Sequence, residues 1–474
     1  MSTDDGPPAD LPYRFERSAS AAQVTERFSA LAAGEESGTS VSVAGRIMLS
    51  RPQGALAFAE LRDSSGAVQL FALKKVTERF EEFARLNLGD WVGAHGEVVR
   101  TRRGELSVKV DRWSLLAPAR RSFGDKWRGV TDVETRYRQR EVDLWANERS
   151  RQILVLRSAL VQRLRERLWE RGFVEVETPI LHPIPGGAHA RPFVTRHNAL
   201  DADFYLRIAP ELYLKRLVVG GFEKVFEIGR LFRNEGISPR HNPEFTTVEL
   251  YQAYADYGDL MLLVEELVSG LAVDLLGTTS LTYQGRPLEL AAPWRRATMA
   301  ELVSERLGRP VSVHTPAPEL RRHLEDAGGG AEASAGPGRL LLELYEKTTE
   351  GDLWGPVFVT DYPAEVSPLS RRHRDDPDLV ERFEAIVAGR ELVNAFSELT
   401  DPDEQRARFE EQAALRSGGD EEAMVLDEEF LRALEHGLPP TAGLGLGVDR
   451  LAMVLADAAN IREVIAFPTL RPEA

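Results

Sequence analysis

LFRNEGISPRHNPEFTTVELYQAYADY, residues 231–257, gathers Arg233, Glu235, Arg240, His241, Glu244, Phe245, Glu249 and Tyr251 into one short span. Upstream, FEKVFEIGRLF alternates apolar residues as a buried strand does, and from Phe245 to Ala255 β-branched and aromatic spacing resumes. Between them Gly236, Ser238, Pro239, Asn242 and Pro243 are loop formers. The pattern predicts strand, long loop, strand: a hairpin with fixed guanidinium and carboxylate groups beneath a basic loop. A guanidinium fork holds a carboxylate and a phosphate oxygen in fixed geometry, so Arg233 suits a site where two anions meet. Taken one at a time, these charges also fit a salt-bridged strand pair.

Outward from this hairpin the chain keeps alternating helix and strand. Ser150 to Glu170 carries Ile153, Leu156, Leu160, Leu164 and Leu168 at helical spacing, and GFVEVETP (172–179) reads as a strand closed by proline. By pattern alone that pair is either a partner-facing surface or part of one core. In PGGAHARPF (185–193) two glycines permit close backbone approach to a ligand. Glu211 opens a helix after Pro210. Residues 258–350 read as mostly helical scaffold, with a Gly/Ala/Ser-rich loop at 327–338 and little legible chemistry. Strands return at 356–370 and 383–399. Near the end, Gly443, Gly445 and Gly447 alternate along a strand before Asp449 and Arg450 open a helix expected over 451–459. Such glycines make a flat floor for a ligand, or a tight strand-to-helix turn.

The N-terminal third is built differently. Residues 1–20 read as disordered or loosely packed, and 21–33 as a short amphipathic helix ended by Gly34. Over 41–116, five short strand patterns with VTERFEEFARLNLG as a helix between the third and fourth follow the order of an OB-fold, or of another small barrel. Phe58 and Gln69 suit base stacking and edge recognition, with Arg51 and Glu105 as neighbours; Phe58 is alternatively barrel core.

Composition bounds the rest. The 474 residues suffice for two or three domains. Without cysteine there is no disulfide, thiolate nucleophile or zinc-thiolate site. No apolar run reaches membrane-span length, and the start lacks a signal core, so a cytoplasmic location is expected. A net charge of −16 opposes nucleic-acid binding only until its distribution is read. Residues 100–143 hold twelve Lys/Arg against seven Asp/Glu, whereas 401–435 hold four against twelve. The basic stretch is a phosphate-binding patch or a solvated loop.

With Arg-Asn-Glu-Gly at 233–236, Arg-His-Asn-Pro-Glu-Phe-Thr at 240–246 and Glu-x-Tyr at 249–251, residues 231–257 resemble motif 2 of class II aminoacyl-tRNA synthetases, in detail that of lysyl-tRNA synthetases. The 150–179 helix and strand resemble motif 1, and GLGLGVDR with IREVIAFPTLRP resembles motif 3. Residues 185–193 resemble a Gly-Gly-Ala-x-Ala-Arg-Pro-Phe run whose x is usually Ser, Asn or Ala; His189 departs from it as a surface substitution. The resemblance spans nearly the whole chain. It implies an α+β architecture: an N-terminal extension (1–40), a five-stranded OB-fold anticodon-binding barrel (41–118), a linker (119–149) and a class II catalytic domain (150–474) with an antiparallel sheet flanked by helices.

It implies residue roles as well. Arg233 and Arg450 would be catalytic; Glu235, Arg240, His241 and Phe245 would join them in binding ATP. Gly187, Glu211, Glu249, Tyr251, Asn394 and Glu398 would hold lysine. Glu384 and Glu391 would carry Mg2+, up to three ions with ATP, on hard oxygen donors suited to that cation. Arg51, Phe58, Gln69 and Glu105 would read the anticodon of tRNA(Lys), and residues 150–179 would form a homodimer interface. An aspartyl or asparaginyl enzyme, a lysyl-transferring relative acting on protein or lipid, and a non-catalytic RNA binder are the rivals. Against them stand respectively the pocket carboxylates, the barrel without a membrane span, and the presence of Arg233, Arg450, Glu384 and Glu391.

Overall fold

The computed structural model describes residues 11–121 and 130–473. It divides into two compact units, 1–148 and 149–474.

In the first unit, β1 (Glu36–Gln53), β2 (Leu56–Arg62), β3 (Ala67–Leu73), β4 (Trp91–Arg100) and β5 (Leu106–Ala117) close a barrel in the order β1-β2-β3-β5-β4. Period-two alternation builds it: Ala57, Ala59, Leu61, Val68, Leu70 and Ala72 point inward while Phe58, Gln69 and Phe71 stay partly exposed. The N-terminal stretch is more ordered than its composition suggests. Ser18 donates its backbone N–H to Ser42 O (2.9 Å), and α1 (Ala21–Arg27), capped by Ser20, buries Ala21 and Val24 in the barrel core. Residues 1–10 lie outside the described residues.

The helix expected before β4 shrinks to α2 (Phe80–Phe83), because Arg79 takes a left-handed conformation (φ 49°) that blocks an earlier start. Of the linker, 122–129 lie outside the described residues. Part of its basic run is neither a phosphate patch nor a solvated loop. Arg136 and Arg140 both donate to buried Asp143 at 2.8 Å.

The second unit is an eight-stranded sheet. Motif 1 contributes the long helix α3 (Glu148–Glu170) and only two strand residues, β6 (Val174–Glu175). The expected longer strand ends because Thr178 turns its N–H (3.1 Å) and hydroxyl (2.6 Å) to the Glu227 carboxylate. The hairpin is β7 (Lys224–Phe232) and β8 (Glu244–Ala253); β9 (Arg295–Thr298), β10 (Val357–Pro363), β11 (Leu379–Ile386), β12 (Glu391–Ser397) and β13 (Thr441–Gly447) complete the order β9-β10-β11-β12-β13-β8-β7-β6. All neighbours are antiparallel except the parallel pair at each edge, β9 with β10 and β6 with β7.

One face of this sheet is apolar. Val248, Leu250, Phe383, Ala385, Val393, Ala395, Leu444 and Leu446 pack in one core with α3 and α5, the latter following Tyr254 as Tyr257–Leu276, after α4 (Glu211–Val219). The alternate residues therefore face the other way, and they include the charged Glu249, Arg382 and Glu384. Motif 3's helix, α7, spans Val448–Leu455, one turn earlier than expected; α6 (Pro337–Thr348) lies between β9 and β10 in sequence. Among the described residues no helix is long and apolar enough to cross a membrane.

Candidate active site

Strand register assembles the site in two rows. Glu384, Asn394, Gly445 and Glu249 are cross-strand neighbours in succession, as are Arg382, Phe396, Gly443 and Tyr251. They floor a cavity of about 630 Å³ that also meets Gly187, Glu211, Arg233, Glu235, Arg240, His241, Phe245, Glu391 and Arg450. Thus one cavity collects the residues expected at the catalytic, nucleotide, lysine and metal positions, Glu398 excepted.

Glu398 does not line the cavity itself but lies against Gly443 and Tyr251, which do. A Cβ on Gly443 would collide with its Oε1 and with the Tyr251 ring, so this glycine is required by the buried carboxylate rather than by a turn. Gly447, at φ −73°, also needs no special conformation. Gly445 and Gly447 have no protein atom closer than 3.5 Å to a built Cβ, leaving their floor open to the cavity.

At this end sit three buried carboxylates, Glu211, Glu249 and Glu398, and buried Tyr251. Burial, then the neighbouring Glu211 charge, pushes Glu249 up to about 8. Burial likewise raises Glu211 and Glu398. Lys215, one helical turn beyond Glu211, is fully buried with Nζ 2.6 Å from Glu211 Oε1 and ion-paired to Glu398 Oε2. Burial opposes its charge, but Glu211 and Glu398 outweigh it and raise its pKa. Glu398 Oε1 receives no hydrogen bond. Gly187, at φ +85°, packs on Ala209 and Glu211, where a side chain would be strained.

The opposite end is cationic. Arg233 lies over the Phe245 ring at 5.2 Å, its buried Nε without a hydrogen-bond partner. Arg450 donates to Glu391 O (2.6 Å) and Oε2 (3.2 Å) and stands 3.5 Å from His241 Nε2. Burial, then the Arg450 charge, lowers His241, so its ring is neutral at physiological pH. Arg240 and His241 belong to a loop tied to itself by Ser238 and to Ile461, whose N–H reaches Pro239 O at 2.9 Å.

Between the ends, Arg382 donates to Glu384 Oε1 (2.6 Å), Asn394 Oδ1 (2.9 Å) and Ser367 Oγ (3.1 Å). Burial, then the charge of Glu391, pushes Glu384 up to about 7. Burial also raises Glu391, but Arg450 overrides this and leaves it lowered. Two carboxylates on adjoining strands, both open to the cavity, are a donor set that fits a divalent cation beside phosphate.

A family profile described as tRNA synthetases class II (D, K and N) matches residues 132–471, and one for an OB-fold nucleic acid binding domain matches 41–116. Lysine-tRNA ligase of Nostoc punctiforme is 50% identical over 97% of this chain and 84% of its own length; that of Synechococcus sp. (strain CC9605) is 53% identical over 93% and 89%. The chain belongs to the lysine-tRNA ligase family. A Moorella thermoacetica lysine-tRNA ligase is similar at 50% identity over 97% of this chain and 93% of its own.

Against this family background, sequence reading missed several residues. Lys215 was findable from its i,i+4 spacing to Glu211, and Arg382 from lying two strand residues from Glu384. The 258–350 stretch is not scaffold alone: Glu332, Ser334, Arg339, Glu343 and Glu346 wall the cavity. His189 is exposed, yet it is more than a surface substitution: with Asp420 it lines the cavity, its ring nitrogens 3.2 Å from Asp420 and 3.4 Å from Glu422. On the barrel, Phe58 is surface and not core: it stacks on Phe71 at 5.0 Å, opposite Arg51. Gln69 donates to Ser107 Oγ (2.8 Å), and Glu105 lies exposed two residues from Ser107.

Proposed function

We propose that this protein activates L-lysine with ATP and transfers the lysyl group to the 3′ end of tRNA(Lys). One observation carries the amino-acid choice: the three buried carboxylates at one end of a cavity whose other end is cationic. An aspartate- or asparagine-specific pocket needs a cationic or amide lining there.

The reaction follows from positioning and charge. The lysine carboxylate oxygen attacks the α-phosphorus of ATP, pyrophosphate leaves, and lysyl-adenylate forms. A terminal ribose hydroxyl of tRNA then attacks the carbonyl carbon, and AMP leaves. The carboxylate is already a nucleophile, so the site's task is to bring two anions together and stabilise the charge that develops.

Arg233 bridges carboxylate and α-phosphate, and Arg450 holds the γ-phosphate with help from Arg240 and neutral His241. Phe245 stacks under adenine while Glu235 accepts from its amine. Glu249, Tyr251 and Glu398 receive the ε-ammonium; Glu211 and the Gly187 carbonyl receive the α-ammonium, and Asn394 lies by the carboxylate. Glu384 and Glu391 would hold up to three Mg2+ ions, which supply neutralising charge to the phosphates.

Phe58, Gln69, Arg51 and Glu105 contact the anticodon. The reading extends to a cytoplasmic homodimer formed by residues 150–179, where the exposed Val155, Trp169 and Val174 offer apolar surface to a second copy. Lysine-dependent ATP–pyrophosphate exchange, followed by acylation of tRNA(Lys), tests the activity. Exchange supported by aspartate in place of lysine would overturn it.

A further inference from the structure

The lysine pocket contains a cation that the reaction does not consume. Lys215 Nζ is enclosed by Glu211 and Glu398, with the Phe396 and Phe430 rings 5.5 and 5.9 Å away. A buried ammonium persists only when paired, and a buried carboxylate only when neutralised or hydrogen-bonded. Three carboxylates and one ammonium leave the pocket formally two positive charges short of balance. Among the groups facing it from other elements, Tyr251 is neutral, Arg382 is engaged by Glu384, Arg207 pairs with Glu227, and Arg233, whose charge also favours ionised Glu249, is matched by the ligand carboxylate in the reading above. Free lysine brings two ammonium groups; every amino acid without a side-chain cation brings one. Lys215 also settles geometry, since holding Glu398 Oε2 leaves the unbonded Oε1 against Gly443, which lines the cavity.

We propose that Lys215 is a positioning residue that sets amino-acid specificity: as an internal counter-ion between Glu211 and Glu398, it fixes the pocket's charge deficit at two and aims Glu398 Oε1 at the ligand. This rests on the lysine reading above. In the empty pocket protons stand in for the missing ammoniums, and the ligand exchanges with them.

Lysine and ATP KM in pyrophosphate exchange, across pH, test it in the full-length protein, Lys215→Met, Glu398→Gln and the double variant. Met keeps the length and removes the charge. The single change should raise lysine KM about tenfold or more, leave ATP KM unchanged, and steepen the rise of lysine KM as pH falls. The double variant, with its charge balance restored, should be no worse than the worse single variant. Penalties that multiply in the double variant, or lysine and ATP KM rising together, would overturn the proposal. If Lys215→Met does not fold, Glu398→Gln against the double variant decides: equal lysine KM supports it, and a further tenfold loss overturns it. Absence of lysine-dependent exchange in the unaltered protein would defeat the lysine reading itself, a distinguishable result.

Discussion

At the scale of single residues, the pocket carboxylates govern pH behaviour. Glu249, pushed up to about 8, is protonated when folded and ionised when unfolded between the ordinary carboxylate range and that value. The folded state then binds more protons, so the free protein should lose stability as pH rises through this window. Lysine prefers the ionised form, and its KM should fall toward pH 8 with release of a proton on binding. Calorimetric titration in two buffers of different ionisation enthalpy reads that proton; Glu249→Gln should weaken the pH dependence of both, with Glu211 and Glu398 supplying the remainder. Glu398→Gln should raise lysine KM strongly with ATP KM near normal, and an unchanged lysine KM would remove Glu398 from the pocket. The carboxylates were legible through the resemblance, Glu249 inside the quoted hairpin motif and Glu211 and Glu398 at positions that the family match implies. Lys215 was not, since a lysine in an amphipathic helix ordinarily snorkels to water, and only the partners of its head group reverse that reading.

At the scale of elements, one carboxylate joins all three motifs. Asp449 at the start of α7 accepts from Arg157 of α3 (2.7 Å) and from the Thr246 backbone N–H of β8 (2.7 Å). It fixes the strand carrying Phe245 and Glu249 relative to the helix carrying Arg450. Asp449→Ala leaves a buried N–H without its acceptor and Arg157 with only the Thr246 hydroxyl. It should cost about 3 kcal/mol in urea unfolding, and should lower kcat more than it alters lysine KM. The hairpin, the long helix and the glycine strand were readable from periodicity. The cavity wall was not: Arg339, Leu342, Glu343 and Glu346 follow an i, i+3, i+4, i+7 stripe on α6, with Leu340, Leu341, Leu344 and Tyr345 behind. Sequence gives the polar stripe, but solvent and substrate cavity look alike from there.

At the scale of the whole molecule, the barrel and the catalytic unit should separate the half-reactions. Phe58→Ala removes one partner of the Phe58–Phe71 stack. Loss of base stacking is worth about 1–3 kcal/mol, so the tRNA KM in acylation should rise roughly tenfold or more while pyrophosphate exchange, which needs no tRNA, continues. Val155→Asp with Trp169→Asp should convert a dimer to monomers by light scattering; a protein already monomeric would dispose of the interface. The Asp449 junction also has a consequence in time. Thr246 and Asp449 are 203 residues apart. At about 5–20 residues per second of synthesis, the ribosome supplies the carboxylate roughly 10–40 s after the strand that waits for it. Until then the strand carrying Phe245 lacks its tie to the helix carrying Arg450, so a nascent chain of this protein should be inert toward the substrates around it.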